Sequence, residues 1–86
     1  MLSKRLAQLR AEMAVADEQL AHFAEVADDA RLRSLVSETP LADRDHHDAQ
    51  RHADAMQRHR EELVASITRL EATQDELLDR LMAESP

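Results

Sequence analysis

Ser37-Glu38-Thr39-Pro40, followed by Leu41-Ala42-Asp43, is the stretch that decides the fold. Proline biases the residue before it away from helical geometry, so Pro40 stops one helix at about Val36. Thr39 followed by Pro40 also reads as an N-cap with proline at the first helical position, so a second helix starts at once. The question is then whether the sequences on either side can pack on each other.

Both carry an unbroken apolar stripe. Leu2, Leu6, Leu9, Met13, Ala16, Leu20, Phe23, Ala27 and Ala30 recur in alternating steps of four and three, with Leu32, Leu35 and Val36 thickening the apolar face at its end. On the other side Ala42, His46, Ala49, Ala53, Met56, Arg60, Leu63, Ile67, Leu70, Gln74, Leu77 and Leu81 repeat the pattern. Folding back at the turn makes the stripes complementary. The expected architecture is all-α: an antiparallel two-helix coiled-coil hairpin spanning 1–86, with a helix over 2–36, a turn over 37–40 and a helix over 41–83. In an antiparallel pair, facing residue numbers sum to a constant, here about 76. Phe23 then faces Ala53, Ala16 faces Arg60 and Leu6 faces Leu70. The same register brings Arg31 near Asp43 and Arg33 near Asp45, pairs that set register more than stability because exposed ion pairs contribute only ~0.2–1 kcal/mol.

Composition agrees. The 86 residues include no Gly, Trp or Tyr and one aromatic, Phe23, while 34% are charged, which is the profile of a long helix or coiled coil. A hairpin of this size buries a narrow seam and invites a partner. Net charge is −7, with twelve acidic and six basic residues after Ser37. That sign and the lack of a basic stripe argue against direct nucleic-acid binding. Absence of Cys removes disulfides, thiolate chemistry and most structural zinc sites. No apolar run has the length of a membrane span and no signal-peptide core opens the chain, so a cytoplasmic protein without membrane contact is expected. Ten Arg to one Lys and abundant Ala hint at a GC-rich bacterial genome.

Besides His46, two polar residues sit on the second stripe. Arg60, opposite Ala16, can run its methylenes along the seam and deliver its guanidinium to water, and Gln74, opposite Leu2, lies near a helix end. The alternative is that they fix register or oligomeric state. Beyond Gln74 the second helix continues for ~12 Å past the first. Leu77, Leu78, Leu81 and Met82 lie on that overhang as candidate partner-binding residues, with a homodimer in the form of a four-helix bundle expected to cover them and the stripe Ala7, Ala14, Ala21 and Val26.

Chemistry-bearing side chains gather near the turn: Asp43, Asp45, His46, His47, Asp48, His52 and His59, with His22, Asp28 and Asp29 brought close by the fold. Asp48 and His52 have the i, i+4 spacing that lets two ligands face one ion, and Asp43 and His46 the i, i+3 spacing seen in di-metal bundles. Paired Glu-x-x-His motifs and inward glutamates are absent, so a solvated polar face is the reading and no metal ligand is assigned. The same histidines could make this region respond to pH. No catalytic or cofactor-binding residue is assigned: there is no nucleophile constellation and no phosphate loop, and a hairpin offers little concavity. An enzyme is not expected.

The segment Glu38 to Asp45, continuing through His46-His47-Asp48-Ala49-Gln50-Arg51-His52-Ala53 and ending in Gln74-Asp75-Glu76-Leu77-Leu78-Asp79-Arg80-Leu81, resembles small uncharacterised actinobacterial helical-hairpin proteins. That likeness implies no activity. A coiled-coil tip bearing Ala42-Asp43-Arg44 is also similar to the DksA/TraR transcription factors, whose hairpin enters the secondary channel of RNA polymerase; the four zinc-binding cysteines of that family have no counterpart here. This resemblance implies an acidic tip, Asp43 and Asp45, that inserts into a larger machine. The main expectation is a non-enzymatic interaction or adaptor protein, self-associating and binding a protein partner. A polymerase regulator and a metal-binding bundle are the alternatives.

Overall fold

A computed structural model describes residues 2–84. It contains two helices, α1 (Leu2–Ser37) and α2 (Pro40–Glu84), of 36 and 45 residues, packed against each other. Each helix extends one residue further into the turn than the apolar pattern indicates, and α2 one residue further at its other end. Two helices folded against each other give a rod of 73 × 15 × 14 Å.

The turn is only Glu38 and Thr39, and each residue closes one helix end. Glu38 has φ 51°, the left-handed conformation that commonly terminates a helix. From there its N–H donates to the Ser34 carbonyl at 3.0 Å, satisfying one of the last acceptors of α1. Thr39 then caps α2. Its Oγ1 accepts from the Ala42 N–H at 3.1 Å and its carbonyl accepts from the Asp43 N–H at 3.1 Å. Asp43 places a carboxylate in the first turn, where the helix dipole favours it.

The core is a single seam in two parts. Near the turn it is built of alanines: Ala27 and Ala30 pack on Ala49 and Ala53, with Phe23 against them. Farther along, Leu9, Ala16 and Leu63 are buried, with Met13, Met56, Ile67 and Leu70 packed around them. These groupings are those of the register expected from the two stripes. Small residues opposite small ones draw the helices close at the turn, and Phe23 fits because Ala53 leaves room for it. No charged or polar residue is buried among the described residues.

Arg60 shows how a cation is tolerated on such a seam. Its side chain is half-buried, and its Nε donates to Asp17, the neighbour of Ala16, rather than only to water. A second interhelix pair, Arg10 to Glu71 at 3.3 Å, lies in solvent toward the other end. The expected pairs at the turn do not form. Asp43 instead accepts from Ser34 Oγ across the turn, and among the described residues Arg31 and Arg33 make no ion pair. Arg33 and Asp45 do line the same shallow groove, with Ala30, Ala42 and Leu41.

Candidate functional site

The residues singled out for chemistry are brought near one another but engaged separately. Phe23 lies between two imidazoles: His52 stacks on it at 5.8 Å with planes 16° apart, and His22 approaches at 5.8 Å at a 55° tilt. Aromatic pairs of this kind add roughly 0.5–1.5 kcal/mol beyond area burial. His46 and His47 stack on each other at 5.6 Å, and Asp48 accepts from Arg51 one turn along the same helix. His59 lines an open groove with Ala11, Val15, Ala16 and Gln19. Among the described residues no three His, Asp or Glu side chains converge on a point that could hold a metal ion.

Among the described residues His46 alone is left with an open polar valence: its Nδ1 is buried and has no hydrogen-bond partner. Placed at the alanine-lined end of the core, it acts as a flat, half-buried spacer. Asp45 is exposed, and Asp43, though exposed, is tied to Ser34 across the turn.

Exposed apolar side chains are the more informative feature. On α2 beyond its contact with α1, Leu77, Leu78, Leu81 and Met82 are 44, 52, 63 and 76% exposed. Leu77 and Leu81 continue the seam stripe past the start of α1, and Leu78 flanks it, so this surface has the pattern of a core face. At the opposite end of the rod Leu32, Leu35, Val36 and Leu41 are 54, 64, 86 and 67% exposed. This corrects the expectation that Leu32, Leu35 and Val36 thicken the seam. With Ala30 and Ser34 on the seam, positions 32, 35 and 36 fall on the outer side of α1, away from α2.

Between these ends the outer surface of α1 carries Ala7, Ala14, Ala21, Val15 and Val26, all exposed. Exposed apolar side chains therefore gather at both ends of the rod, with small ones scattered among charged residues between them. Among the described residues no helix is long and apolar enough to cross a membrane. Compared with known protein families, characterised proteins and solved structures, the chain matches none.

Proposed function

We propose that this protein is a non-enzymatic helical interaction module that self-associates through the end of α2, forming a four-helix bundle from two hairpins and presenting its remaining faces to a protein partner. The observation that carries this reading is the exposure of Leu77, Leu78, Leu81 and Met82 on a stripe with core periodicity. Large contiguous apolar surface on a thin rod has one economical use, which is burial against another helix. A rod 15 Å thick also has no interior from which water could be excluded for catalysis.

The acidic-tip reading has less behind it, because Leu35, Val36 and Leu41 make up much of the exposed turn end and one of the two carboxylates already serves Ser34. Solution mass by light-scattering chromatography over a wide concentration range tests the proposal. Wild type is expected to run as a dimer and Leu77→Glu/Leu81→Glu as a monomer of unchanged helicity. A wild-type monomer at all concentrations defeats it.

A further inference from the structure

Histidines edge the alanine half of the seam, and His46 is set differently from the rest. His52 is stacked on the face of Phe23, which attracts a cation, His22 touches the same ring, and His59 lines an open groove. His46 lies on the seam stripe itself, half-buried, with Nδ1 enclosed and without a hydrogen-bond partner. Its ring stacks on that of His47 at 5.6 Å and 28°.

An uncharged imidazole has one N–H and one bare nitrogen. Buried donors without an acceptor are rarer in native structures than buried acceptors without a donor. Nδ1 is therefore the bare nitrogen, and Nε2 carries the hydrogen. Both nitrogens of an imidazolium are donors. An added proton then sits on Nδ1, inside the seam, as a charged donor with no acceptor, which burial strongly disfavours.

The charged groups around His46 do not supply that acceptor. On α2, Asp43 accepts from Ser34 and Asp48 from Arg51, while Arg44, Asp45 and His47 are exposed. On α1, Arg31 and Arg33 flank the facing residue Ala30 and repel a cation, and Asp28 and Asp29 lie farther round that helix. With Glu38 in the turn, the sum of these charges is slightly acidic. It acts through solvent, where screening leaves little of it.

We propose that His46 is an acid-sensitive latch for the turn end: uncharged, it closes the alanine seam, and on taking a proton it turns Nδ1 out to water and lets the turn-proximal parts of α1 and α2 separate. The open form takes up the proton more readily than the closed one, so closure weakens as pH falls through the ordinary imidazole range, roughly 7 to 5. Contact between Ala27, Ala30, Ala49 and Ala53 buries little apolar area, so this half has little else to hold it shut. The half built on Leu9, Ala16 and Leu63 has no imidazole on its stripe. This device goes beyond the self-association proposed above and does not rest on it.

Amide hydrogen exchange of the full chain at pH 7.5 and 5.5, corrected for the intrinsic pH dependence of exchange, reads the opening of each half. In wild type the opening constant over residues 27–34 and 46–53 is expected to rise about tenfold, within the limit of tenfold per pH unit that one proton sets. Over residues 9–16 and 60–67 it should change by less than about threefold. His46→Leu is expected to abolish the rise, and His52→Leu to keep it. No rise in wild type, an equal rise in His46→Leu, or a rise no larger in the turn half than in the other half overturns the latch. Nitrogen-15 spectra of the imidazoles at pH 7.5 give a second readout. His46 is expected as the Nε2–H tautomer, and the Nδ1–H tautomer overturns the proposal because the added proton would then enter on the other nitrogen.

Discussion

Glu38 carries the sharpest local conflict in the chain. A β-carbon in the left-handed region costs about 1 kcal/mol or more, and glycine usually takes this position at a helix end. The protein contains no glycine at all. Glu38→Gly is therefore expected to raise the unfolding free energy by about 1 kcal/mol, since the gain in the turn exceeds the added entropy of the unfolded chain at this one position; urea denaturation followed by circular dichroism checks it. A loss of stability would mean that Glu38 makes up its strain elsewhere. The turn residues themselves were legible: Pro40 and Thr39 announce the second helix by chemistry that needs no tertiary context. Glu38 was not, because nothing in a glutamate signals positive φ. Its conformation is imposed by the need to reverse direction in two residues.

At the scale of the helices, the stripes specified their own pairing. Alternating steps of four and three fix which face each helix buries, and the placement of Phe23 opposite Ala53 leaves one register in which large faces small. Leu63 tests how much of the hairpin this seam supports. Among the described residues it is the one buried leucine of α2, packed with Leu9 and Ala16. Leu63→Ala is expected to cost about 2–5 kcal/mol, toward the lower end because a thin seam can close over the gap. A cost below about 1 kcal/mol would show that the two helices are not packed there in solution. Ion pairs followed the register less faithfully than the apolar residues did. Arg31 and Arg33 have partners within reach on paper, but weak, solvated pairs lose to any nearer donor, and Ser34 is nearer to Asp43. The histidines behaved likewise: spacing allowed His52 to face one ion with Asp48, while packing gave His52 and His22 to Phe23.

For the whole molecule the deciding quantity is how little is buried. Among the described residues eight buried hydrophobic side chains form the core of a rod 73 Å long, five of them alanines, so much of the stability of the folded chain is expected to come from association. If the folded chain pairs with a second copy, as proposed, and the unfolded chain does not, the midpoint of thermal unfolding should rise with protein concentration. A midpoint that stays constant over a hundredfold range of concentration would show that the hairpin is self-sufficient. The sequence by itself determined the two helices, the turn and the register, because each follows from local rules: periodicity, capping and the fixed geometry of proline. Only the tertiary structure decided which apolar residues remain outside. A helix has a full circumference of side chains, and periodicity cannot place Leu32, Leu35 and Val36 outside until the partner helix has taken the face that Ala27 and Ala30 occupy.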